Sequence, residues 1–231
     1  MKRSVLMLLA LWVLGPGSMA AQESVRERAR ATLPAQLFEE ILDLATRAER
    51  DGVPSDPLFN KALEGMAKHV PPDRILPGVN GYSERLRQAH GAFEPGASGP
   101  LIVAGADALQ RGVDSRSLRQ LGRREEGGPH PSPVAVLVLA DLVEAGVPAD
   151  RALGVLQEAM RMRTREQQML GISGRVRQLM RQGQSPQEAA DQVRRSMQRG
   201  RGGGGVGPPV PPGSEPMTRD RRQAGRRKGG G

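Results

Sequence analysis

The chain has 231 residues, 34 Lys or Arg against 25 Asp or Glu, a net charge of +9 and no cysteine. The missing thiols exclude disulfide frameworks, thiolate metal sites, thiol redox chemistry and a cysteine-linked lipid anchor. Aromatics make up only 2 % of the residues, so a core must come from Leu, Val, Ala and Met, which pack closely but bury less area each than an aromatic ring.

At the start, Lys2 and Arg3 precede an unbroken apolar run over residues 5–14, closed by Gly15-Pro16-Gly17. Ser18-Met19-Ala20 then sets small residues at the positions a signal peptidase reads. This predicts a secretory signal peptide over residues 1–20, cleavage before Ala21, and export to the periplasm or cell exterior. Crossing a bilayer takes roughly 20 apolar residues, twice the length of this run, and no other long apolar run follows. No transmembrane segment is expected after cleavage.

Beyond residue 20 the apolar positions recur at helical spacing. Helices are expected over residues 24–31, 35–50, 56–68, 73–90, 100–111, 115–122, 132–145, 149–168, 172–182 and 186–198, with loops over 91–100 and 123–133. The stretch over residues 134–140 is apolar all round and should belong to the most buried helix. The joints repeat. Val53-Pro54-Ser55-Asp56, Val70-Pro71-Pro72-Asp73 and Val147-Pro148-Ala149-Asp150 share one pattern. Ala106-Asp107 with Gly112-Val113 recurs 34 residues on as Ala140-Asp141 with Gly146-Val147, and Gly183-Gln184-Ser185-Pro186 is a looser copy.

Such a joint reads as a tight turn between two helices. Gly52, Gly112, Gly146 and Gly183 are structural-turn candidates, each suited to the left-handed residue that closes a helix. Pro fits the first turn of the next helix, where its missing N–H would be unpaired anyway. Asp56, Asp73 and Asp150 suit the same turn, near the positive end of the dipole. Ser185 with Glu188 has the spacing of a capping box.

Residues 199–231 hold eight basic residues against two acids, so this segment carries +6 of the net charge. Lys2 and Arg3 carry +2, which leaves residues 21–198 at +1. Gly, Pro and Arg over 199–231 cannot form a core, so a disordered tail is expected. Arg221, Arg222, Arg226, Arg227 and Lys228 form its charge cluster, a candidate for binding polyanions.

The run Gly52-Val53-Pro54-Ser55-Asp56-Pro57-Leu58, with Asn60 to Gly65 and Ala67 to Ile75, resembles a pattern in uncharacterised exported helical proteins of bacteria. The resemblance implies helices and export and carries no activity, cofactor or site residue. His69 stands where that pattern has Gly.

Other constellations are weak. His69, His90 and His130 lie far apart, and none is at a ligand spacing from another. Asp107 and Asp141 occupy equivalent places in two hairpins and could pair as acid and base if those hairpins stack; the plainer reading pairs Asp107 with Arg111 one turn on. Met160 and Met162 would point about 200° apart on a helix, so with Met169 they read as core filler rather than a copper site. Gly171-Ile172-Ser173-Gly174 lacks the spacing of a nucleophile elbow, and Gly202 to Gly205 lacks the surroundings of a phosphate loop.

Taken together, the sequence predicts an all-α protein. A signal peptide over 1–20 leads into repeated helical hairpins over 21–198, arranged as an irregular bundle or short α-solenoid, and a disordered basic tail over 199–231 follows. The function expected is that of an exported, non-enzymatic interaction or scaffold protein with no cofactor or metal. Its partner would be another protein or itself. The alternative is a polyanion binder acting through the tail on nucleic acid, lipopolysaccharide or anionic wall polymer.

Overall fold

A computed structural model describes residues 24–93, 95–123 and 131–200. The expected signal peptide, most of the tail with its cation cluster, Gly202 to Gly205 and His130 lie outside these residues. Among the described residues ten helices follow in order: α1 (Val25–Thr32), α2 (Ala35–Arg50), α3 (Asp56–Ala67), α4 (Pro72–His90), α5 (Gly99–Gln110), α6 (Ser115–Gly122), α7 (Pro133–Glu144), α8 (Ala149–Arg161), α9 (Glu166–Arg181) and α10 (Pro186–Gly200). Among the described residues there is no strand, and the fold is all-α.

Six of the joints share one closing device. Gly52, Gly112, Gly146 and Gly183 have φ of +73°, +94°, +87° and +94°, a range that L residues with a Cβ rarely enter. The N–H after each reaches back to the carbonyl five residues earlier: Val53 to Ala48 at 2.8 Å, Val113 to Ala108 at 3.0 Å, Val147 to Leu142 at 3.0 Å and Gln184 to Leu179 at 3.3 Å. These bonds are the signature of a Schellman cap. His69 and Arg163 close α3 and α8 in the same way at φ +55° and +51°, with Val70 bonded to Gly65 and Thr164 to Ala159.

Two details differ from the expectation. Pro71 and Pro148 sit at the N-cap rather than inside the helix, at φ −55° and −54°, and Pro54 lies one residue before an N-cap. The ring drives the preceding Val toward an extended conformation, which carries the chain out of the cap. Pro71 and Pro148 still accept the first helical bonds, from Ile75 and Ala152. The second difference is the end of α8. The sequence suggests a break at Gly171, but α8 stops at Arg161 and Gly171 lies within α9. The turn falls at Arg163, which no local residue type announces.

Packing follows chain order. α5, α7 and α9 pack in sequence, as do α2, α4, α6, α8 and α10, so each helix meets the next one or two along the chain. Between α3 and α5 the stack is bridged by α4, which packs on both. The helices thus form an all-α bundle in which each buries its apolar face on helices close to it in the chain. Phe38, Phe59, Tyr82 and Phe93 are all buried, at or before the α4–α5 joint. The later core is Leu, Val, Ala, Ile and Met. Phe93 wedges into the α4–α5–α6 junction because Gly105 and Gly122 leave room: a Cβ on Gly105 would lie 2.8 Å from its ring. Within α7, Val136, Val138 and Leu139 are fully buried as expected, whereas Leu137 is 38 % exposed.

Candidate interaction face

Helical spacing puts Asp107 on α5 and Asp141 on α7 at matching points of two packed helices. The Asp107–Arg111 pairing does not form. Arg111 caps the end of α5 and turns to α7, where Nη2 reaches Asp141 Oδ1 and Glu144 Oε2, each at 2.5 Å, and Nε donates to Glu144 at 3.0 Å. Two carboxylates across the joint outcompete one on the same helix, because the guanidinium fork can serve both. Arg177 on α9 adds a second cation to Asp141 at 3.5 Å.

The Asp107 carboxylate is left without a hydrogen bond among the described residues. Burial raises its carboxyl pKa, tempered by the positive charges of Lys61, Arg85 and Arg111. The neighbouring Tyr82 is pushed up to about 12, chiefly by burial and then by the charge of Asp107. On α3, Glu64 goes the other way, down to about 2, because Lys68 and Lys61 both hydrogen-bond its carboxylate. A line of charge thus runs across α3, α5, α7 and α9. Leu137, one turn before Asp141, and Leu170, two turns before Arg177, lie beside it and are the two exposed large apolar side chains among the described residues. This face offers ion pairing and apolar contact.

The remaining sequence candidates are scattered. His69 closes α3 and His90 ends α4, and among the described residues no three metal-binding side chains converge. Met169 is buried in α9 and Met160 packs against the same core. Ser173 is buried within α9, its hydroxyl unpartnered among the described residues.

One feature escapes sequence reading altogether. Between the C-terminal part of α2 and the middle of α4 lies a cleft of about 470 Å³, lined by Arg47, Arg50, Asp51, Asn80, Ser83 and Arg87. Arg47 and Arg50 share a face at i, i+3, as Ser83 and Arg87 do at i, i+4, but nothing in the sequence shows that the two faces meet.

No protein family, curated protein or solved structure matches this chain.

Proposed function

We propose that this protein is an exported, non-enzymatic scaffold that binds a protein partner or a second copy of itself through the face formed by α3, α5, α7 and α9. The observation that carries this reading is the shared line of charge across successive helices, flanked by exposed Leu137 and Leu170. Interfaces combine apolar anchors with polar groups that set register, and stacked hairpins favour extended surfaces over enclosed pockets. Export is supported by the residue pattern over 1–20. Among the described residues no helix is long and apolar enough to cross a membrane.

Two measurements test it. Mass spectrometry of the native protein is expected to find Ala21 as the first residue; an intact Met1 recovered from cytosol defeats the export part. Cross-linking and sedimentation of wild type against Leu137→Asp/Leu170→Asp tests the face. Wild type is expected to retain a partner, or a dimer, that the variant loses, and identical behaviour of the two defeats the scaffold reading.

A second reading rests on the concentration of charge in residues 199–231. There the tail binds polyanions. Neutralising Arg221, Arg222, Arg226, Arg227 and Lys228 to Gln in the full chain is expected to abolish heparin binding. In wild type, the affinity for single-stranded nucleic acid is expected to fall with a log–log salt slope of about −3 to −4 if all five cations engage. Equal binding by both chains refutes it.

A further inference from the structure

The geometry points to the α2–α4 cleft as a binding site for a phosphate-type oxyanion carried on a larger molecule, independent of both the interaction face and the tail. Three guanidiniums stand in the lining against the carboxylate of Asp51, and Glu84 pairs with one of them, Arg87, which leaves one positive charge uncompensated. Arg50 makes no hydrogen bond or ion pair among the described residues, and Arg47 uses only Nε, on the Asp43 carbonyl at 3.2 Å, so its two terminal nitrogens are free. Arg87 meets Glu84 at 2.7 Å, but both side chains are half exposed, and such a pair holds its cation weakly.

The second observation is Ser83. It is 5 % exposed, it lines the cleft, and its hydroxyl has no hydrogen-bond partner among the described residues. Its oxygen is not one of the fully buried unpartnered atoms, so it is reached from the cleft and stands ready to hydrogen-bond a ligand atom there. Asn80, on the same face of α4, adds an amide donor. The end of a helix normally repels anions. Here the carbonyls of Arg47, Ala48 and Glu49 are already taken by the N–H groups of Asp51, Val53 and Gly52, which blunts that field.

The donor set favours phosphate over carboxylate. Three guanidiniums, a hydroxyl and an amide exceed what two carboxylate oxygens can accept. A phosphomonoester presents three terminal oxygens and a charge near −2 at neutral pH, enough acceptors for all of these donors, and guanidiniums bind such groups through paired donors. The cleft also has the size of small-molecule sites, roughly 300–1,000 Å³. A lone phosphate would leave most of it empty.

The test is calorimetric titration of the full chain, at constant ionic strength, with inorganic phosphate and with glycerol 3-phosphate. Saturable binding is expected, tighter for the ester. Ser83→Ala and Arg50→Gln are each expected to weaken it about tenfold, since each removes a hydrogen bond to a charged group. Arg50 is exposed and unpartnered, so an unchanged melting temperature for that variant separates lost binding from lost fold. The full chain with its five tail cations changed to Gln should bind like wild type. Sedimentation with phosphatidylcholine vesicles containing phosphatidic acid distinguishes the source. Co-sedimentation that is lost in Arg47→Gln/Arg50→Gln assigns the phosphate to a lipid headgroup; ester binding without co-sedimentation assigns it to a soluble ester. No saturable binding, or binding that survives Arg47→Gln/Arg50→Gln and disappears with the tail cations, overturns the proposal.

Discussion

The same substitution, Gly→Ala, should have opposite signs at Gly146 and Gly174. At Gly146 a new Cβ would meet nothing nearer than Pro186 Cγ at 3.9 Å, so crowding is no obstacle. The obstacle is φ of +87°, beyond the narrow left-handed region near +50° to +70° that L residues use. Left-handed geometry costs an L residue about 1–2 kcal/mol, while the lower entropy of an unfolded Ala chain returns about 0.4–1 kcal/mol. The net loss is about 1 kcal/mol, or roughly 2–4 °C in melting temperature for a chain of this size. Gly174 also has open space around it, but it lies inside α9 with ordinary helical backbone. Ala there should gain about 0.8–1 kcal/mol from helix propensity. Arg163→Gly makes the complementary case. At φ +51° it already sits inside the tolerated region, so Gly should leave the melting temperature unchanged or slightly raised. Thermal denaturation of the four proteins by circular dichroism reads all of this. A Gly146→Ala variant as stable as wild type, or a shift of the same sign at Gly174, would refute the turn mechanism.

Three further outcomes follow from packing and charge. Gly105→Ala brings a Cβ to 2.8 Å from the Phe93 ring and 2.9 Å from Ala89 Cβ; it should destabilise by about 1–3 kcal/mol, with Phe93→Leu in the same chain restoring part of the loss in a urea titration. Glu64 titrates at about 2 when folded against an ordinary value of 4.5. In that window the unfolded chain binds more protons, so Glu64 adds stability above it and loses it as pH falls; Glu64→Gln should flatten the acid limb of a melting-temperature–pH profile. Asp107 has the opposite sign. Its raised folded pKa means that stability declines as pH rises through the range above 3.8, so Asp107→Asn should melt higher than wild type at neutral pH, and a lower melting point would count against a half-buried carboxylate without a hydrogen bond.

What the sequence determines by itself is local. The glycines at positions 52, 112, 146 and 183 announce their caps because a helix-ending residue with φ near +90° all but requires the absence of a Cβ. The caps are completed by bonds spanning only five residues, and Ser185 and Glu188 form their box, Glu188 N–H to Ser185 Oγ at 3.3 Å and Ser185 N–H to Glu188 Oε2 at 3.0 Å, within one turn. Tertiary structure decided the rest. His69 and Arg163 enter the left-handed region against their own preference, because helices packed on both sides of the joint oblige the chain to turn there. Arg111 abandons the nearby Asp107 for Asp141 and Glu144, partners 30 and 33 residues away, and that depends on how α5 lies on α7. The cleft of Arg47, Arg50, Ser83 and Arg87 likewise comes into being only when α2 packs beside α4. Period and capping residues say which face of a helix is apolar; they carry no information about which other face it will meet.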